Sequence, residues 1–181
     1  FNGVNARSTP EQAEQAWGWS DSGSYLQMGI AHAKFRHLTP ELYWTAVFWP
    51  PGMSYIYAFA IKLVGFEGRF IYVLATITAF LWAYILAILL RIFSEFMRWW
   101  IAVGLLIALI QTDFYHQYLV KGAIIWSDGY AAGFLLLTII FSYLGSKNSS
   151  NYYFVASGIS LAALIYLRGQ YFISLQILGT M

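Results

Sequence analysis

The chain has 181 residues, of which 60% are hydrophobic, 20% aromatic and only 10% charged, with a net charge of +2 and a mean hydropathy of +0.60. A soluble globular domain carries about 25% charged residues, so this composition describes an integral membrane protein. The charge is too small and too scattered for a nucleic-acid partner, no Lys/Arg cluster reads as a headgroup patch, and zero cysteines exclude disulfides and thiolate metal sites.

Residues 1 to 20, with Arg7, Pro10, Glu11 and Glu14, read as a polar surface loop. Ser20-Asp21-Ser22 offers N-cap chemistry for a helix from about Ser22 to Phe35. Its apolar positions Tyr25, Met28, Ile30, Ala31 and Phe35 roughly follow helical spacing. That helix is too short and too polar to span a bilayer, so it should lie at the interface. His37 to Trp49 is irregular and Trp-rich, as the headgroup level favours. Pro50-Pro51 then opens a second short helix, Gly52 to Val64, interrupted by Lys62 and ended by Gly65.

Four spans follow, at about 70–90, 99–115, 129–144 and 152–167, with the start of another segment at 170–181. Phe70 to Leu90 holds 21 residues with few polar groups, enough at about 1.5 Å each to cross a hydrocarbon core of about 30 Å, and Arg91 closes it. The division is thus an outer loop with two interfacial helices, 1–68, and a transmembrane bundle, 69–181. If Gly52–Val64 is interfacial, the loops carrying Arg91, Arg98 and Lys147 share one side, and the loop Asp113–Asp128 shares the other with the N-terminal region. That satisfies the positive-inside rule; a spanning Gly52–Val64 violates it. Residue 1 is Phe and the chain stops inside an apolar stretch, so it reads as a piece of a longer protein.

Three charged side chains collect on the outer side of this topology: Asp21, Asp128 and Arg168. Each has a plain structural role open to it, as an N-cap for the two acids and as a snorkelling C-terminal residue for Arg168. Their convergence on one face also suits a phosphorylated lipid. A carboxylate can take a proton from an acceptor or hold a divalent cation, and a guanidinium can grip a phosphate bidentately. His32, His37 and His116 share no metal-ligand spacing and read as interfacial or loop imidazoles. Gly104, Gly133 and Gly158 read as close-packing positions between spans, and the aromatic load reads first as interfacial belts.

These residues resemble a known family. Asp21-Ser-Gly-Ser-Tyr25-Leu-Gln-Met-Gly-Ile-Ala31 is similar to the D-x-x-x-Y-x-x-x-A segment in the first outer loop of C-type (GT-C) glycosyltransferases. Trp49-Pro50-Pro51-Gly52 through Lys62-Leu-Val-Gly65 resembles their juxtamembrane "PP-L…KLFG" helix, and Glu67-Gly68-Arg69 the link into the next span. Ser127-Asp128 opening a span, and Ser157-Gly158 through Arg168-Gly-Gln170, resemble two later stretches, in the same order. The nearest likeness is to polyprenyl-phosphate sugar transferases of the protein mannosyltransferase and aminoarabinose transferase type. Two positions depart from the pattern. Ser20 and Ser22 stand where many members have a second acid, and Trp49 stands where a basic residue is common.

The resemblance implies an all-α polytopic membrane protein, a GT-C-like helical bundle with juxtamembrane interfacial helices in its first outer loop. It implies transfer of a sugar from a lipid-linked donor to an acceptor on the non-cytoplasmic side of a bacterial inner membrane. Asp21 would be the catalytic carboxylate, or a ligand of a divalent cation such as Mg²⁺ or Mn²⁺. Tyr25 and Asp128 would line the substrate cavity, and Arg168 would neutralise the lipid phosphate. The partners implied are the donor, membrane lipids and other membrane subunits. Two further readings stay open: a non-catalytic GT-C-like subunit of a larger complex, and a transporter fragment.

Overall fold

The structure, a computed structural model, describes residues 21–34, 50–65, 69–112 and 127–168. The expected N-terminal loop, the Trp-rich His37–Trp49 stretch, most of the Asp113–Asp128 loop and the segment 170–181 lie outside the described residues. Six helices are described: α1 Asp21–Ala33, α2 Gly52–Val64, α3 Phe70–Phe96, α4 Trp99–Ile110, α5 Ser127–Asn148 and α6 Asn151–Leu167. No strand occurs among the described residues. The chain forms two compact units, Phe1–Thr76 with Ala162–Met181, and Ile77–Leu161.

Two of these helices, α3 and α5, are long and apolar enough to cross a membrane. The most apolar window of α3 has a mean hydropathy of 2.4, yet only 22% of it is buried; for α5 the figures are 1.5 and 39%. A core helix of a soluble protein hides its apolar surface in protein. On α3 the buried positions Phe70, Leu74, Thr78, Trp82 and Ile85 form one narrow stripe, while Tyr72, Phe80 and Tyr84 are more than half exposed. Hydrocarbon is the solvent that reconciles such hydropathy with so little burial.

Helix ends follow backbone chemistry rather than the first charge. The span expected to close at Arg91 continues to Phe96, because nothing in Arg91-Ile-Phe-Ser-Glu-Phe96 is a helix breaker. The expected loop over 91–98 is reduced to Met97 and Arg98, whose carbonyl starts α4. Likewise α5 runs past Leu144 to Asn148. It ends where Ser149 turns left-handed (φ 49°) and the Ser150 N–H bonds back to the Gly145 carbonyl at 3.2 Å, a Schellman closure built without glycine. Gly145 is a packing residue: a Cβ there would sit 3.1 Å from the Phe154 ring. In α2, by contrast, Pro51 caps the start and Gly65, at φ 78°, receives the end.

The register of α3 and α5 is set by pairs each 52 residues apart. Thr78 Oγ1 donates to the Tyr130 hydroxyl at 2.8 Å, Leu81 meets Gly133, and Glu95 pairs with Lys147. A constant positive offset means that the two helices run parallel over 17 residues, about 25 Å of axis. The chain must therefore travel back the same distance between them, and α4 begins that return. α6 runs antiparallel to α5. Ser157 Oγ donates to the Thr138 carbonyl at 3.0 Å, so its only proton is committed and Ser142 is the donor in the 2.8 Å Ser142–Ser157 pair. Such hydroxyl clamps join helices that hydrophobicity cannot hold together in lipid. Ser157→Ala is expected to lower stability by about 0.6–1.7 kcal/mol, read by denaturant unfolding in mixed micelles.

Of the three glycines read as packing positions, Gly133 is one: a Cβ there would lie 2.9 Å from Leu81 Cδ2. Among the described residues nothing lies within 4 Å of a Cβ built on Gly104 or Gly158. Two further close-packing glycines, Gly29 and Gly52, lie in α1 and α2; a Cβ on Gly29 would stand 2.6 Å from Tyr57 Cβ and 3.1 Å from the Ser54 carbonyl oxygen.

Candidate functional site

In the unit that contains α1 and α2, the two helices pack against each other. Gly29 lies against the Ser54–Ala58 stretch, and His32, one turn later, stacks on Tyr55, nearer the start of α2, at 4.7 Å between ring centroids and 16° between planes. The contact face of α1 consists of Tyr25, Leu26, Met28 and Gly29, all buried. Small residues at Gly29, Ser54 and Ala58 allow the backbones to approach closely, and the buried Tyr57 ring then meets Phe70 edge-on at 6.2 Å.

The start of α2 also touches the end of α6. A Cβ on Gly52 would stand 2.6 Å from the Tyr166 carbonyl oxygen and 3.1 Å from Leu167 Cα. This approach brings the Tyr166 ring parallel to Tyr55, 6.1 Å away and inclined by 12°. Three helices thus contribute to one aromatic stack, His32–Tyr55–Tyr166. Its two tyrosines are about half exposed, at 47% and 51%. Arg168 follows two residues after Tyr166, half-buried, with its backbone N–H still bonded to the Leu164 carbonyl at 2.9 Å.

The four residues singled out from sequence fall in different places. Asp21 opens α1; its side chain lies outside the described residues. Tyr25, one turn on, is buried, at 1% exposed. Arg168 belongs with these two, although 147 positions separate it from Asp21. Asp128 belongs to the other unit, half-buried in the first turn of α5, where the helix dipole favours a carboxylate. His32 lies in the last turn of α1, so the first turn stands at the opposite end of that helix from the stack. Asp21 is eleven residues from His32, about 16 Å along the axis.

Among the described residues no three acidic or histidine side chains converge as a cation site. Sequence reading missed His32, Tyr55 and Tyr166 as a group. They are scattered over more than 130 positions, and in a chain with 14 tyrosines no local signal separates a stacked ring from a belt residue.

A second polar cluster lies in the unit Ile77–Leu161. Lys147, in the last turn of α5, forms an ion pair with Glu95 in the last turn of α3, both side chains 39% exposed. The ammonium also lies 5.9 Å from the Phe96 ring centre and 6.0 Å from that of Tyr143. In water such an exposed pair contributes little, so its value is geometric: it ties together the ends of two parallel helices. Neither a protein-family profile nor a curated protein nor a solved structure matches this chain.

Proposed function

We propose that the chain is the lipid-recognising part of a membrane enzyme that moves a sugar from a polyprenyl-phosphate donor to an acceptor at the outer face of a bacterial inner membrane. The observation that supports it is the half-exposed His32–Tyr55–Tyr166 stack, whose last ring stands two residues before Arg168 at the end of an apolar helix. Aromatic faces hold the apolar face of a sugar ring, and an arginine matches a phosphate through two parallel N–H donors. Together they fit an amphiphile whose tail lies in hydrocarbon and whose charged head lies at its edge.

In this reading Arg168 offsets the charge that develops on the departing lipid phosphate. Asp21 takes the proton of the acceptor hydroxyl or amine as it attacks the anomeric carbon. The bond from that carbon to the phosphate oxygen breaks, and the proton ends on the carboxylate. Tyr25, buried one turn after Asp21, braces the helix that carries it. One donor that meets both residues must reach from Arg168 to the first turn of α1, about 16 Å of helix from His32. That requirement also favours a second reading, a non-catalytic subunit that binds the lipid-linked sugar without turning it over.

The test is transfer in liposomes with synthetic polyprenyl-phosphate sugars. Arg168→Lys keeps the charge and loses the fork, and is expected to raise the KM for donor about ten-fold, as the loss of one charge-assisted hydrogen bond implies. An unchanged KM overturns the role of Arg168. EDTA added to the same assay separates the two uses of Asp21: loss of transfer that Mg²⁺ or Mn²⁺ restores makes the carboxylate a cation ligand, and undiminished transfer makes it the base.

A further inference from the structure

Arg91, Glu95 and Lys147 line one cavity of about 310 Å³ in the unit Ile77–Leu161, at the C-terminal ends of the parallel helices α3 and α5. In sequence Arg91 and Lys147 are 56 positions apart and form no basic motif; the parallel register is what brings them to one place. The volume sits at the lower end of the about 300–1,000 Å³ found for small-molecule sites.

The lining divides by chemistry. Glu95 is engaged with Lys147 and holds that ammonium at the rim. Arg91 adds a second cation, so the charged lining side chains carry one net positive charge. Asn148 and Tyr153 contribute an amide and a phenol, and the Tyr84 phenol lies two turns before Arg91 on α3. The rest of the wall is hydrocarbon: Ile92 and Leu144 near the level of Arg91, and Ile88 and Phe141 below it. Arg91 marks the level at which the continuous apolar run of α3 ends, which is the level of lipid headgroups.

A cavity with a cationic, hydrogen-bonding rim and an aliphatic floor is complementary to a singly charged amphiphile. A free phosphate would lose hydration against Phe141 and Ile92 without compensation. A lipid phosphodiester places its charge at the rim and its chain on the floor. The negative ends of the two helix dipoles oppose any anion here, but that field fades within the last turn, and Arg91 stands five residues before Phe96.

We infer that this cavity holds the phosphate of an anionic phospholipid at Arg91, with one acyl chain lying against Ile88 and Phe141. The site is separate from the sugar-transfer reading and stands or falls without it. Arg98 supplies the control. It is exposed in the turn between α3 and α4 and does not line the cavity.

The experiment is native mass spectrometry of the full chain in detergent, offered phosphatidylglycerol and phosphatidylcholine of equal chain length, with inorganic phosphate as a competitor. Phosphatidylglycerol is expected to be retained about five-fold more strongly, the factor one engaged cation provides. Arg91→Gln should bring that ratio close to one, Arg98→Gln should leave it unchanged, and millimolar phosphate should not displace the lipid. Equal retention of the two lipids overturns the inference, as does a ratio that Arg91→Gln leaves intact or that Arg98→Gln reduces equally. Displacement by inorganic phosphate would make this a site for a free anion and would equally overturn it. Both arginines are exposed, so neither variant is expected to unfold the chain, and a melting curve of each confirms it.

Discussion

Asp21→Asn is expected to reduce sugar transfer by about 10²–10⁴-fold, the range that removal of a general base produces, while leaving the melting temperature within a degree or so. Asn is as good an N-cap as Asp, so the substitution keeps whatever helix-starting role Asp21 has in α1 and removes only its ability to accept a proton or hold a cation. That separation makes it the most decisive change in the chain. Full transfer by the Asn variant would remove Asp21 from the chemistry. Donor binding by both forms with transfer by neither would identify the non-catalytic subunit. The roughly 16 Å of helix between Asp21 and the residue that reaches the aromatic stack is the physical reason to make this change before any other.

Gly52→Ala is expected to destabilise the unit containing α1, α2 and the end of α6 by about 1–3 kcal/mol, the cost of forcing a methyl group into a filled contact. The added Cβ would meet the Tyr166 carbonyl oxygen at 2.6 Å and its carbon at 2.9 Å. Those are backbone atoms, which cannot swing aside as a side-chain tip can, so α2 must move off α6. The Tyr55–Tyr166 stack should part with it, and donor affinity should fall together with stability. Gly104→Ala and Gly158→Ala are the matched controls. With nothing described within 4 Å of either Cβ, they should be neutral or stabilising by up to about 1 kcal/mol, because alanine loses less backbone entropy in a helix. Thermal melts of the three variants side by side check this. Equal tolerance at Gly52 and Gly104 would contradict the close approach of α2 to α6.

What could be read without tertiary structure follows from one-dimensional physics. Length, hydropathy and the run from Phe70 identify a helical membrane protein, because a bilayer requires about 20 apolar residues in succession and satisfied backbone groups. Pro51 and Gly65 bound α2 at the positions their φ preferences dictate. Even here the first charge was a poor terminator. Arg91 and Lys147 remain helical, since a long cationic side chain can leave the hydrocarbon while its backbone stays in the helix.

Tertiary structure alone decided which faces meet. In a soluble helix the apolar stripe reveals the buried side; in α3 and α5 lipid-facing and protein-facing residues are equally apolar, so periodicity carries almost no information about contacts. The parallel register at an offset of 52, the hydroxyl clamp at Ser142 and Ser157, and the difference between Gly133 and Gly104 all depend on a neighbour far away in sequence. So do the His32–Tyr55–Tyr166 stack and the cavity that joins Arg91 to Lys147. The sequence by itself determined that this chain is helical, lives in a membrane and begins and ends its helices near particular residues, because hydropathy and backbone hydrogen bonding are local. Which side chains share a site was decided by packing, because only the approach of one helix to another distinguishes a ring in a stack from a ring in lipid.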